Sequence, residues 1–420
     1  MSNVLLATPG LSTFRHLTTL LRTIVSDAPN ASIHITNHYG LTGRLDMSSG
    51  INSGYWENIR LQITFKVRRI IFLIMVRKYA SISLSYYNSK ECFEEIERFL
   101  QHIPETISIN ELLKFEFRGV QFGRELLSSI QRYSFSNTSQ EYSFTKTSIE
   151  RKLLKNSLEI IYCYEQLLKT NDFDVMYVNE VSYVNWGIPI KCALKSNIEV
   201  IHVSYGYLGN QYYYKSRYRS ITDVYIPSGF EASKCDNPLQ LTSKSSVKPV
   251  KKIGVWTHLC WDSAGVYGDQ LYKSYNDWLR AVYRISLERK DLLWIFKIHP
   301  HELSAENNPR KELTNQLNNT ATFLREMISP FDEHIIVDYS GDTHLDDIDA
   351  FTTVTGTIRY EAAAQGKSVV LAERSGKLSG GFSFYCDTQG QYLDYLRKID
   401  CLVVGAKEIE LAEDYRKKYY

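Results

Sequence analysis

The sequence predicts an α/β protein built from two doubly wound parallel-sheet domains, and three observations carry that prediction. At 420 residues with 44% hydrophobic content, the chain is long enough to bury two ordinary cores. Short apolar runs alternate with amphipathic stretches of helical spacing, the pattern of repeated βαβ units. A polar stretch with prolines, rich in Ser and Lys, lies over 235–252 and divides the chain as an interdomain linker does.

The elements follow in order. The first half reads as a strand over 4–7, a helix over 16–26, a strand over 32–36 and an acidic amphipathic helix over 90–101. Helices over 123–133 and 148–169 come next, the second carrying Leu153, Leu154, Leu158, Ile161 and Leu168 on one periodic stripe, with a Ser/Thr-rich break at 134–147 between them. A strand over 174–178, a helix over 188–195 and a strand over 199–203 form a βαβ unit, which implies parallel strands and a right-handed crossover. Beyond the linker, strands over 253–256, 292–296, 335–337, 350–354 and 368–372 alternate with helices over 273–288, 310–327 and 359–365, with a short helix near Leu345. The expected domains are 1–235 and 253–405, joined by a linker over 236–252, with a C-terminal helix over 406–420 packing back on the first domain.

Composition narrows the function. Lys and Arg (49) nearly balance Asp and Glu (47), and no finger, helix-turn-helix or RNP signature occurs, so nucleic acid is not an expected partner. The seven cysteines, at 92, 163, 192, 235, 260, 386 and 401, are scattered without a CxxC, as suits reduced thiols in the cytoplasm. The opening MSNVLLATPG lacks a basic region and reaches Pro9 and Gly10 after one short apolar run, so it reads as a strand rather than a signal peptide. No apolar run approaches the roughly 20 residues that span a bilayer. Residues 65–79 (FKVRRIIFLIMVRKY) carry Lys66, Arg68, Arg69, Arg77 and Lys78 and no acidic residue. They read either as a core element with solvated flanks or as a basic amphipathic element resting on the inner face of an anionic membrane.

Two motifs point to chemistry. In FKIHPHE (296–302), Lys297, His299 and Pro300 fall where the strand over 292–296 ends, and in a parallel sheet that is where ligands bind. In TGTIRYEAAAQGKSVVL (355–371), Thr355, Gly356 and Thr357 make a tight turn that opens a helix. The unpaired N–H groups at a helix start suit phosphate, and a glycine lets a ligand approach the backbone. The acidic run DTHLDDID (342–349) reads as a solvated loop and helix start, with Asp342 as cap, rather than as a metal site.

Taken in order, GVWTHLCWDS (254–263), Trp278, these two motifs and SGGFSFYCDTQGQYLDYL (379–396) resemble the bacterial capsule and surface-polysaccharide glycosyltransferases of GT-B type. That group includes the capsule β-Kdo transferases and is distantly similar to the teichoic-acid polyol-phosphate transferases. The likeness is best over 250–400 and weaker in FRGVQFGRELLSSIQR (117–132) and over 178–203. The resemblance implies two Rossmann-like domains facing across a cleft, a nucleotide-sugar donor on the second, a glycan or lipid-linked glycan acceptor on the first, and neither metal nor other cofactor. It implies that His299 contacts a donor phosphate with Lys297 and Pro300 beside it, and that Thr355, Gly356 and Thr357 donate to the same phosphate. Glu361 then holds the ribose hydroxyls or complements the helix dipole, and Arg359 adds a phosphate contact or faces solvent. Gly380 and Gly381 form a loop over the donor or a plain turn. Glu180, past the strand over 174–178, is the first candidate base, with a structural ion pair as its alternative. His258 and Asp262 are candidates for contact with the phosphate or the reacting groups, Trp256 and Trp261 read as packing, and Tyr205 and Gly206 line the acceptor side. Two other readings stay open: a transferase of polyol phosphate from a CDP-polyol, whose relatives usually show a DYSS-like turn where this chain has VTGT, and a non-catalytic nucleotide-sugar-binding scaffold.

Overall fold

The computed structural model describes residues 3–8, 14–37, 80–83, 89–134, 141–205, 213–220, 252–259, 269–272, 274–299, 320–340, 345–374 and 380–419. The basic segment 65–79, Gly206, Asp262, Pro300 and all of the expected linker except Lys252 lie outside these residues. The described elements fall into two units.

The first unit holds strands β1 (Asn3–Thr8), β2 (Ser32–Asn37), β3 (Ala80–Ser83), β4 (Val175–Val178), β5 (Glu199–Tyr205) and β6 (Tyr213–Tyr218). Their order is β6-β5-β4-β1-β2-β3. All pairs are parallel except the last hairpin, where β6 runs antiparallel to β5. The alternation of each strand decides what is buried. Val4 and Leu6, Ile33 and Ile35, Tyr177, and Ile201 and Val203 share a cluster with Leu20, Leu21 and Ile24 of helix α1 (Phe14–Asp27).

The longer helices that follow in this unit are α2 (Lys90–Gln101), α3 (Gly123–Ser134), α4 (Ile149–Thr170) and α5 (Ile188–Lys195). Ser89 and Ser148 cap α2 and α4 by accepting from the amides of Cys92 and Arg151. The buried hydroxyl of Tyr164 on α4 lies 2.9 Å from Oγ1 of Thr36 in β2. Between β4 and α5 the chain makes a π-helical turn, Tyr183–Gly187, that local periodicity does not announce. Tyr183 sits there at φ 65°, and Arg132 donates to its hydroxyl at 2.7 Å while lying over its ring. A Cβ on Gly187 would stand 2.5 Å from Cγ of Glu125, so the turn closes only with glycine. Glu125 itself pairs with Lys191 at 2.7 Å, with side chains 0% and 5% exposed, and Lys191 also donates to the carbonyl of Gln121 at 2.8 Å.

The second unit holds β7 (Lys252–Trp256), β8 (Leu293–Lys297), β9 (Ile335–Asp338), β10 (Ala350–Thr353) and β11 (Ser368–Leu371), all parallel, in the order β9-β8-β7-β10-β11. Its helices are α6 (Tyr275–Glu288), α7 (Thr320–Met327), α8 (Ile358–Ala363), α9 (Gln389–Arg397) and α10 (Ala406–Tyr419). Ile253, Val255, Trp294 and Phe296 pack with Trp278, Leu279 and Val282 of α6 and with Tyr392 and Leu396 of α9. Three polar side chains in this core are matched: Trp278 Nε1 donates to the Tyr392 hydroxyl at 2.7 Å, and that hydroxyl lies 2.6 Å from Oγ1 of Thr352. Gly254 lets β7 approach the ring of Phe351, which a Cβ would meet at 2.8 Å, and Phe351 stands edge-on to Trp256, confirming Trp256 as a packing residue.

In both units the first strand is central and the order reverses beside it, between β1 and β4 and between β7 and β10. This is the doubly wound Rossmann order, in which ligands bind beyond the carboxyl ends of the strands at the reversal. One expectation is corrected. Residues 345–349 form a turn rather than a short helix, because the amide and carboxylate of Asp349 already bond to Lys252 as an extension of the sheet. Within its own unit the C-terminal helix α10 packs on α8 through the contacts of Tyr415.

Candidate nucleotide site

The carboxyl ends of β7, β8 and β10 are tied together by threonine hydroxyls. Thr257 donates through Oγ1 (2.6 Å) and its amide (3.2 Å) to the carbonyl of Lys297, joining β7 to β8. Thr353 donates through Oγ1 to the carbonyls of Trp256 (2.9 Å) and Thr355 (2.8 Å), joining β10 to β7 and shaping the turn that follows.

His258 and His299 stand on this frame. The amide of His258 donates to the hydroxyl of Tyr275, at the start of α6. Nδ1 of His258 lies 3.2 Å from the carbonyl of Leu259 and donates there when it carries a proton, so Nε2 donates to an anion only in a ring that holds both protons. The ring centroids of His258 and His299 are 5.7 Å apart. Gly356 takes φ 120°, and an added Cβ would meet only Cδ2 of His258, at 3.9 Å. Glycine is therefore required here by the backbone rather than by crowding. Three strand ends thus place two imidazoles and a glycine turn in one locality at the point of strand-order reversal.

Thr355 and Gly356 are half-buried and Thr357 is exposed. The helix behind them, α8, is only six residues long, and the Thr357 side chain does not cap it. Its dipole is correspondingly small, so the character of the site comes from the histidines and the turn more than from the helix. Glu361 is half-buried in the first turn of α8.

Two expected donor contacts are spent elsewhere. Lys297 is 3% exposed and donates to Asp338 Oδ2 (2.8 Å), the Ser340 carbonyl (2.7 Å) and Ser340 Oγ (2.9 Å). Those bonds occupy the three donors of an ammonium, so Lys297 fastens β8 to the end of β9 instead of meeting a phosphate. Burial pushes the Asp338 carboxyl up, but the bonds from Lys297 and Ser340 outweigh it and hold the group below its ordinary value. Arg359 neither faces solvent nor the turn: it is buried, donating to the Tyr415 hydroxyl at 3.0 Å with its guanidinium over that ring.

In the first unit, Glu180 follows β4 and its Oε1 accepts from the amides of Val181 (2.8 Å) and Ser182 (3.1 Å) and from Ser182 Oγ (2.5 Å). That oxygen shapes the entry to the π turn. On β5, the ring of His202 stacks on Tyr218, with Nδ1 3.2 Å from its hydroxyl. Burial lowers the His202 pKa, and the opposing pull of the Glu180 charge and the Asn179 carbonyl does not cancel it. A histidine whose folded pKa is depressed contributes stability that is present above its ordinary value near 6.5 and is lost as pH falls below it. Chemical unfolding of the first unit is therefore expected to become easier between pH 7 and pH 5 in the wild type, and a His202→Gln variant to show a smaller loss over the same interval. Equal slopes would contradict this account of His202. Tyr205 closes β5.

Sequence reasoning missed Tyr275, Thr257, Thr353 and Tyr415. The three site-proximal residues act by bonding to backbone, and Tyr415 acts from a separate helix, so no local motif marks them. Among the described residues, no group of three or more His, Cys, Asp and Glu is placed to hold a metal ion, and no helix is long and apolar enough to cross a membrane. Cys92, Cys163, Cys192 and Cys386 are buried free thiols, and Cys401 is an exposed one.

No protein-family model and no curated protein matches the sequence. Among solved structures, the spinosyn rhamnosyltransferase SpnG, complexed with spinosyn aglycone, aligns over 100% of this chain and 96% of its own at 9% identity, with a TM-score of 0.31. The β-Kdo 2,4 transferase KpsC of Thermosulfurimonas dismutans aligns over 57% of this chain and 87% of its own at 10% identity, with a TM-score of 0.30. The UDP complex of MnaA from S. aureus aligns over 69% of this chain and 84% of its own at 12% identity, with a TM-score of 0.31. Likenesses of this order carry no residue-by-residue correspondence, and the Rossmann character of each unit rests on its own strand order.

Proposed function

We propose that this chain is a glycosyltransferase that moves a sugar from a nucleotide-sugar donor to a growing surface glycan or lipid-linked glycan, without a metal ion. The observation that supports it most is the convergence of His258, His299 and Gly356 at the reversal point of the second sheet. As the bond to the sugar breaks, negative charge develops on the departing phosphate. Donors fixed there in advance stabilise that charge without reorganising during the reaction. Imidazole N–H groups and the backbone N–H groups of a glycine turn are donors of this kind.

In this reading Thr355 and Thr357 add contacts at the turn and Glu361 accepts from the ribose hydroxyls, while Pro300, Asp262 and Gly206, which lie outside the described residues, are proposed for the phosphate, the reacting groups and the acceptor in turn. The first unit holds the acceptor at the end of β5, at Tyr205, with the Glu180 carboxylate taking the acceptor proton. The setting is the cytoplasm, with residues 65–79 touching the inner face of the membrane.

A thermal-shift panel of CMP, CDP, UDP, GDP and dTDP, without metal, tests the donor site on wild type, His299→Ala and Glu361→Ala. One nucleotide is expected to raise the Tm of the wild type and not of either variant. CDP as that nucleotide would turn the reading toward polyol-phosphate transfer. A nucleotide that stabilises all three proteins equally, or a panel with no effect, would overturn the site.

A further inference from the structure

Helix α8 begins directly after the Gly356 turn, so whatever fixes its first turn also fixes Thr355, Gly356 and Thr357. Six residues make too few internal hydrogen bonds to hold a helix in place, and its position must come from tertiary contacts. Those contacts come from the sheet, where Ile358 and Ala362 pack with Phe351, Val369 and Leu371, and from α10. Tyr415, 6% exposed, accepts from Arg359 Nη2 at 3.0 Å, lies with its ring centroid 5.5 Å from the Arg359 guanidinium carbon, and stands 5.0 Å from the ring of Tyr360. Arg359 and Tyr360 are the second and third residues of α8.

The same ring meets a second segment. Phe382 stands edge-on to Tyr415 at 5.4 Å, immediately after Gly380 (φ 60°) and Gly381 (φ 77°). At the far end of α8, a Cβ on Gly366 (φ 74°) would lie 3.3 Å from Cδ1 of Ile409. Helix α10 therefore follows α8 from its closing glycine back to its first turn, and Tyr415 joins that first turn to the segment after the glycine pair at 380–381, beside the Ser383 hydroxyl, which donates to the carbonyl of Arg359 at 3.4 Å.

We propose that Tyr415 is a positioning residue for the nucleotide site: it sets the first turn of α8 and the 380–382 turn relative to each other, and through them the affinity for the phosphate-bearing ligand, which it does not touch. This rests on the donor-site reading of His258, His299 and Gly356. A site built on a short helix is sensitive to such support, because a shift of about 1 Å in a binding group can cost up to about 100-fold in function.

The test is isothermal titration of CMP, CDP, UDP, GDP and dTDP into wild type, Tyr415→Ala, Tyr415→Phe, His299→Ala and Leu396→Ala. Leu396 is buried on α9 in the main core of the same unit, a cluster that includes no residue of α8 or α10, so its variant controls for lost stability. Tyr415→Ala is expected to weaken the bound nucleotide about tenfold, Tyr415→Phe, which keeps the ring contacts and loses the Arg359 bond, about threefold, and Leu396→Ala not at all despite a lower Tm. Unchanged affinity in both Tyr415 variants, with loss in His299→Ala, overturns the proposal and leaves the donor site standing. Equal weakening in Leu396→Ala also overturns it, since the effect would then be general loosening. If Tyr415→Ala does not fold, Tyr415→Phe decides alone, and wild-type affinity there refutes the proposal. A wild type that binds none of the five nucleotides removes the donor site and this inference together.

Discussion

His299→Ala is expected to lower kcat/KM for sugar transfer about 100- to 1000-fold, or about 2.7 to 4 kcal/mol of transition-state stabilisation, the range measured when one preorganised donor is removed from an anion site. The fall should appear mainly in kcat, because the charge that His299 meets grows as the sugar departs. His258→Ala is expected to cost a similar amount. The double variant should cost well under the sum, since in the proposed site rings 5.7 Å apart would serve one phosphate as one functional unit. Steady-state kinetics on the three proteins check this. Full additivity would mean the two histidines act on different groups, and an unchanged kcat/KM in His299→Ala would end the donor-site reading.

The largest effect on stability is expected from the ion pair between α3 and α5. Lys191→Met leaves the fully buried Glu125 carboxylate without its cation and should destabilise the first unit by about 3 to 5 kcal/mol. The companion variant Glu125→Leu/Lys191→Met should recover most of that loss, because it removes the unpaired charge and refills the volume with apolar atoms. Urea unfolding, followed by a probe in the first unit, distinguishes the two. A double variant as unstable as the single one would show that the pair stabilises the fold outright. The π turn sits against this pair through Gly187, so the damage should extend to the loop that carries Glu180.

Most of the framework was legible from local patterns. Apolar runs such as 292–296 mark β8 and its neighbours, and the helix starts read at 148 and 273 fall within two residues of α4 and α6, which Ser148 and Ser274 cap. The reach of individual side chains was not legible. Lys297 occupies the strand end expected of a phosphate contact, yet its partner is Asp338, 41 residues on, and only the pairing of β8 with β9 brings the two together. Arg359 likewise finds Tyr415 across 56 residues because α10 folds onto α8. Such contacts are set by tertiary packing, and periodicity is silent about them. The histidines and Gly356 were legible because a strand end and a glycine turn are local features whose place in a parallel sheet follows from topology.

The matched phenols of the two cores have a consequence in strong base. Tyr164, against Thr36, and Tyr392, between Trp278 and Thr352, are both pushed well above a phenol's ordinary value of 10.0, chiefly by burial. A phenol raised in this way contributes stability below its ordinary value that drains away as pH climbs past it, since the unfolded chain then gives up a proton the native one keeps. Alkali therefore reaches each core only by opening it. The slow rise of phenolate absorbance after a jump to high pH becomes a clock for that opening, with one hand in each unit.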